Sequence, residues 1–150
     1  MVRKFLTGIA LLLAFATFAL AQKGDTGAES QKPSIRKVPA RQTSAASGKE
    51  MYESYCASCH GRDAKGDGPA AKALKTAPSD LTTLAERNGG QFPAMRVQGV
   101  ITGQVELAAH GAKDMPVWGP VFLRLSQGRP SEVKLRIDNL TDYIKSLQLK

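Results

Sequence analysis

The segment Cys-Ala-Ser-Cys-His, residues 56–60, holds both cysteines of this 150-residue chain and one of its two histidines. Thiols three residues apart project to nearly the same side of a helical turn, and His60 follows directly. Such a group could form a redox disulfide, supply part of a zinc site, or attach a haem through two thioether bonds while the histidine ligates the iron. The spacing suits the third task, because both sulfurs can anchor one edge of a flat ring while His60 reaches its centre.

The two other interpretations lack supporting context. A redox disulfide is typical of a CxxC pair that follows a strand and opens a helix, where the helix N-terminus lowers a thiol pKa. No strand pattern precedes Cys56, and the motif comes at the end of a predicted helix. A structural zinc ion needs four ligands, and beyond the motif the chain offers only His110 and carboxylates. The sequence therefore predicts one haem c, bound covalently through Cys56 and Cys59 with His60 as an iron ligand.

A sixth iron ligand must come from far along the chain, so that the polypeptide can cover the other face of the ring. Met115 lies in Asp-Met-Pro-Val-Trp-Gly, residues 114–119, where Pro116 indicates a loop or a helix start rather than a core helix. Thioether ligation opposite histidine raises the reduction potential, as an electron carrier requires. Met115 is the predicted ligand, His110 or an open position is the alternative, and Met95 is expected to be a core residue on a short helix.

Helical patterns surround this motif. Ser47 followed by Glu50 predicts a capped helix that runs toward Cys56, and apolar residues at steps of three and four predict a long helix from near Pro130. Shorter helices are expected over 70–75, over 80–87 before Gly89-Gly90, over 94–101 before Gly103, and over 117–125. No segment alternates with the period of two that is typical of strands. The predicted fold class is all-α, with four to six short helices.

The N-terminus predicts export. A basic start is followed by an apolar run over 5–21 that ends in Ala-Leu-Ala, which is the pattern of a secretory signal peptide over 1–21. As a helix this run would reach about 25 Å, which is short for about 30 Å of hydrocarbon, although an uncleaved anchor is the alternative. Residues 22–46 lack aromatic side chains and predict a disordered basic linker. The folded domain is expected over 47–150, in the periplasm.

The domain resembles a class I c-type cytochrome of the small bacterial monohaem kind. The resemblance rests on Gly48 with Tyr52, the CASCHG segment, Gly-Asp-Gly-Pro-Ala at 66–70, Asp-Met-Pro-Val-Trp-Gly, and the ending Leu-Thr-Asp-Tyr-Ile-Lys-Ser-Leu at 140–147. It implies a cytochrome c-like fold wrapped around one haem, in which the first and last helices cross closely. It also implies that a backbone carbonyl near a proline after the motif supports His60. Pro69 is the expected proline, and Pro78 is the alternative.

The predicted function is transfer of single electrons between respiratory redox proteins, such as a terminal oxidase, a reductase or a dehydrogenase. The protein is expected to be a monomer and not an enzyme. No nucleophile and base pair stands apart from the haem ligands. The formal net charge of +8 favours acidic partners, but the basic residues are not interleaved with aromatic ones, which argues against nucleic acid. Two alternatives remain open: a subunit of a respiratory complex, tethered to the membrane only if the N-terminal segment is retained, and a haem sensor or enzyme with an open sixth site.

Overall fold

The computed structural model describes Ser34, Arg36 and residues 38–105 and 115–149. The predicted signal peptide, most of the predicted linker and His110 lie outside these residues. All regular secondary structure in the described ranges is helical, so the all-α prediction is confirmed. The α-helices are α1 (Gly48–Met51), α2 (Ala57–His60), α3 (Ala94–Thr102), α4 (Trp118–Leu125) and α5 (Pro130–Ser146). None of the described helices combines the length and the hydropathy that a membrane crossing requires.

The first helix begins where the sequence predicts. The Ser47 side chain accepts a hydrogen bond from the backbone N–H of Glu50 at 3.2 Å, which satisfies one of the unpaired donors of a helix N-terminus. The Glu50 carboxylate does not return to Ser47 and instead accepts from the Ser44 N–H at 3.1 Å. The cap therefore joins the helix to the chain that precedes it.

A π-helical segment over Tyr52–Cys56 joins α1 to α2. Its wider turn is closed by a hydrogen bond from the Ala57 N–H to the Tyr52 carbonyl, five residues back. Such segments are rare, and those that occur are frequently at functional sites. The sequence analysis did not predict this one. The extra residue rotates Cys56 and the rest of the CASCH motif relative to the face of α1 that packs in the core.

The close crossing of α1 and α5 is confirmed. A Cβ placed on Gly48 would lie 2.0 Å from the Asn139 carbonyl oxygen and 2.8 Å from the Tyr143 Cβ. The rings of Tyr52 and Tyr143 lie 5.4 Å apart. Only a glycine at position 48 allows the two backbones to come this close, so the crossing sets the position of the helix that leads to Cys56.

Two predicted helices are replaced by single turns of 3₁₀-helix, Ala71–Ala73 and Glu86–Asn88. In the second region, the Asp80 carboxylate accepts hydrogen bonds from the Thr82 N–H at 2.8 Å and the Thr82 hydroxyl at 2.6 Å. A side chain that bonds nearby backbone in this way competes with helix formation. The other four expected helices form, and Gly103 closes α3 in the left-handed conformation.

The packed region begins before the predicted boundary at residue 47. Thr43 is buried, and its hydroxyl lies 2.8 Å from the hydroxyl of Tyr55 and accepts from Arg136 at 3.1 Å. The Tyr55 hydroxyl also lies 2.6 Å from the Arg41 carbonyl oxygen. These contacts hold the segment before α1 against the domain, although its composition resembles that of a linker.

Arg136 is a charged side chain inside the core, with 1% of its surface exposed. Its guanidinium donates to Glu132 at 3.1 Å, to Ser126 at 3.1 Å and to Thr43. A buried charge is costly unless it is paired and hydrogen-bonded. These bonds satisfy it, and they join α5 to α4 and to the segment before α1.

Candidate functional site

One cavity of about 300 Å³ brings together residues that lie far apart in the sequence. Cys56, His60, Met115 and Trp118 line it. Its wall is otherwise largely apolar and comes from α3, α5 and the segment between the two 3₁₀ turns: Leu81, Leu84, Val97, Val100, Ile101 and Ile144. A cavity with an apolar wall and a few polar groups is the usual form of a cofactor site.

The backbone after the CASCH motif folds back over it. The carbonyls of Ser58, Cys59 and His60 accept hydrogen bonds from the N–H groups of Ala70, Gly68 and Gly66, at 2.9, 3.0 and 2.8 Å. These carbonyls are the ones that a helix C-terminus leaves unpaired. A Cβ on Gly68 would lie 2.5 Å from the Ser58 oxygen, so glycine is required for the loop to reach this position.

The imidazole of His60 is oriented by one backbone carbonyl. Its Nδ1 lies 3.0 Å from the Ser79 oxygen, and when Nδ1–H donates there the Nε2 lone pair is free to bind a metal ion. Burial lowers the pKa of His60, with the hydrogen bond to Ser79 opposing the shift, so the neutral form that ligates metals is favoured. Ser79 follows Pro78, so the expectation for Pro69 was wrong and the alternative holds.

The two cysteines are free and partly buried. Burial raises the pKa of the Cys56 thiol to about 12, and the neighbouring Cys59 adds to the shift. A disulfide oxidoreductase requires the opposite shift, toward a reactive thiolate. Cys56 lines the cavity and Cys59 lies on the next turn outside its lining.

Zinc coordination finds no support in the described ranges. No group of three or more histidine, cysteine, aspartate or glutamate side chains there is arranged to hold a metal ion. The CASCH motif supplies two thiols and one imidazole, and Met115, which also lines the cavity, supplies one thioether. That donor set fits a haem attached through sulfur and ligated by nitrogen and sulfur.

Met115 and Met95 have different environments. Met115 lines the cavity, directly before Pro116 and α4. Met95 lies on α3 as expected but has 82% of its surface exposed, so the prediction that it is a core residue was wrong.

Trp118 is part of an aromatic cluster beside the cavity. Its ring lies 5.0 Å from that of Tyr55 and 5.9 Å from that of Phe122. Because Tyr55 also bonds to the segment before α1, the cluster connects the cavity wall to that segment.

Sequence reasoning missed several residues of the site. Ser79 accepts the hydrogen bond of His60 through its backbone oxygen, and three residues line the cavity that the sequence analysis did not single out: Arg87, Asn88 and Arg96. No local pattern distinguishes such residues, since the tertiary fold alone brings them to the cavity.

Comparison with known proteins agrees with this chemistry. The family model described as cytochrome c oxidase, cbb3-type, subunit III matches residues 43–124. The chain belongs to this family of c-type cytochromes. It is also 29% identical over 105 residues to cytochrome c-554(547) of Halothiobacillus neapolitanus, an alignment that covers 69% of this chain and 97% of that protein. No solved structure matches the chain significantly.

Membership in the family identifies the cofactor as haem c, bound covalently. The cytochrome has Cys56 and Cys59 at the CxxCH spacing that this attachment requires. The match begins at residue 43, which is the buried threonine that joins the segment before α1 to the core.

Proposed function

We propose that this cytochrome is an exported carrier of single electrons, with its haem attached through Cys56 and Cys59 and ligated by His60 and Met115. The observation that carries the proposal is the shared cavity, whose lining includes Cys56, His60 and Met115 although Met115 lies far from the CASCH motif in the sequence. When bound, the haem supplies a one-electron Fe(III)/Fe(II) couple.

The protein's own residues have three tasks in this proposal. The thiols of Cys56 and Cys59 each add across a haem vinyl group, with the sulfur and the hydrogen going to the two carbons, so that no oxidant is needed. The Ser79 carbonyl holds the Nδ1–H of His60 and directs Nε2 toward the cavity. The apolar wall keeps water from the ring, which helps to set the reduction potential.

The proposed location is the periplasm, with a terminal oxidase, reductase or dehydrogenase as redox partner. The signal pattern over 1–21 supports export, and the basic charge supports an acidic docking site on the partner. A subunit role within a respiratory complex is a second candidate, because the matching family model is named for an oxidase subunit. Membrane fractionation of the native protein separates them, since the carrier is released from washed membranes and a tethered subunit stays with them.

The test of the site is the visible spectrum of the protein made in a host that attaches haem c. We expect the bands of a c-type haem and, in the oxidised protein, the weak far-red band of iron–thioether ligation. Met115→Ala should abolish the far-red band and lower the reduction potential, because thioether ligation favours Fe(II). Met95→Ala is the matched control, since that methionine is exposed and outside the cavity, and it should leave both unchanged.

Three results would overturn parts of the proposal. A far-red band that survives Met115→Ala would reject Met115 as the ligand. Haem bands without a far-red band in the unmodified protein would transfer the assignment to His110 or to an open site, which His110→Ala would distinguish. Absence of haem under these conditions would reject the whole assignment.

A further inference from the structure

Two arginines stand at the opening of the cavity. Arg87 lies in the second 3₁₀ turn and Arg96 lies on the first turn of α3, and both are exposed residues that also line the cavity. Because they are exposed and line the cavity at once, they lie where it meets solvent. The cavity therefore has an apolar wall and a cationic opening.

Asp80 is close enough to Arg87 to interact with it through charge, but the Asp80 carboxylate accepts its hydrogen bonds from Thr82. In the part of the chain that the structure describes, no aspartate or glutamate lines the cavity, and neither arginine takes part in an ion pair. Two like charges at one opening repel each other unless an anion lies between them. The arrangement therefore fits a ligand that is apolar in its body and anionic at one edge.

Arg87 is also held in place. Its guanidinium donates to the Asp80 carbonyl at 2.5 Å and to the Thr83 carbonyl at 3.4 Å. These bonds use two of the five N–H groups of the side chain, and three remain for a ligand. A long side chain with its conformation fixed by backbone bonds loses less entropy when it binds an anion.

Haem has these properties, since its ring is apolar and its two propionate carboxylates lie on one edge. Guanidinium groups match carboxylates in geometry and bind them through two parallel hydrogen bonds. We propose that Arg87 and Arg96 bind the haem propionates and thereby hold the ring in its orientation. The proposal rests on the proposed function, because it takes the same cavity as the haem site.

This role has an electrostatic consequence. Propionate charge favours Fe(III), and a neighbouring cation offsets that charge, so both arginines raise the reduction potential. They also keep the propionates ionised as the pH falls. Other titratable groups near the opening are Asp80 and Lys65, while Cys56 and His60 are assigned to haem attachment and ligation.

The test measures the reduction potential of the haem-loaded protein after Arg96→Gln, Arg87→Gln and both changes. We expect the double variant to shift the redox equilibrium toward Fe(III) by roughly tenfold, which is 59 mV for a one-electron couple. Its potential should also become dependent on pH in the acid range, while Arg96→Lys should retain most of the original potential. Arg124→Gln, which removes an exposed arginine of α4 outside the cavity lining, is the control for net charge.

The proposal would be overturned if the reduction potential changed no more in the double variant than in Arg124→Gln. This holds even if the double variant reacts more slowly with an acidic partner, because that effect would show only a role in docking. A pH dependence that disappears with Asp80→Asn would also overturn it, because the titrating group would then be Asp80. Arg87→Gln could loosen its own loop by removing the bonds to Asp80 and Thr83, so Arg96→Gln is the deciding single variant. Failure of the proposed function is distinct, since the unmodified protein would then contain no haem.

Discussion

Replacement of Gly48 by alanine tests the closest contact in the domain. The added Cβ would lie 2.0 Å from the Asn139 carbonyl oxygen, whereas carbon–oxygen contacts ordinarily fall at about 3.3–3.6 Å. The atom it meets is backbone, so α1 and α5 must move apart by more than about 1 Å. Because α1 continues into the CASCH motif, this movement also disturbs the segment that carries the haem ligands.

The magnitude is a difference between two effects. Overpacking a well-packed contact costs about 1–3 kcal/mol, and a contact this short against backbone belongs at about the upper limit of that range. Exchange of glycine for alanine in a helix recovers at most about 1 kcal/mol, and less at the first helical position. We therefore expect Gly48→Ala to lower the free energy of unfolding by about 2 kcal/mol, or the melting temperature by roughly 8 °C.

The assay is guanidinium unfolding of the haem-loaded protein, with the free energy extrapolated to water. Gly119→Ala on α4 is a graded control, because its Cβ would meet the Thr102 oxygen at 2.9 Å, and it should cost less. Lys49→Ala, at the next and exposed position of α1, should be nearly neutral. A Gly48→Ala variant as stable as the unmodified protein, or more stable than Gly119→Ala, would refute the inferred crossing.

Further predictions concern the hydrogen bonds around the site and the core. Tyr52→Phe removes the bond from the buried hydroxyl to the Gly61 carbonyl at 2.8 Å and should cost about 1 kcal/mol in the same assay. An equal cost for Tyr143→Phe, whose hydroxyl has no described hydrogen bond, would contradict this reason. Arg136→Ala should cost about 3 kcal/mol or more, because Thr43 and Ser126 lose a buried partner and Glu132 its neighbouring charge. A loss below that of Tyr52→Phe would show that the network contributes little. The pKa of Glu132 is lowered first by its hydrogen bond to Arg129 and then by that to Arg136, so its stabilisation is present above the unfolded-state pKa and lost as the pH falls through the folded one. Glu132→Gln should therefore flatten the loss of stability in acid, and an unchanged acid profile would exclude this carboxylate as a source. Gly68→Ala should lower the haem attached per protein, measured by absorbance, relative to Gly89→Ala, which strains a left-handed residue but meets no atom within 4 Å. Equal attachment in both variants would show that the loop over the motif tolerates a side chain.

The sequence correctly predicted the helices that have a capping or terminating residue at one end. Ser47 caps α1, Gly103 ends α3, and Pro130 begins α5, and each of these effects acts within a few residues. The same reasoning failed over 80–87, where the Asp80 side chain bonds to Thr82 and ends the helical pattern. A competing bond of this kind depends on side-chain geometry, which composition and periodicity do not contain.

The sequence by itself determined the type of cofactor and the helical class, because the CxxCH spacing is a local property and the apolar period follows one element at a time. Tertiary structure decided every feature that depends on contacts between residues distant in the sequence. It selected the Ser79 carbonyl over the region of Pro69 for His60, exposed Met95 while it brought Met115 to the cavity, and gathered Arg87 and Arg96 at the opening. The physical reason is that these positions follow from how α1 crosses α5 and how the connecting loops close over the motif, and such long-range packing is not encoded in any single stretch of residues.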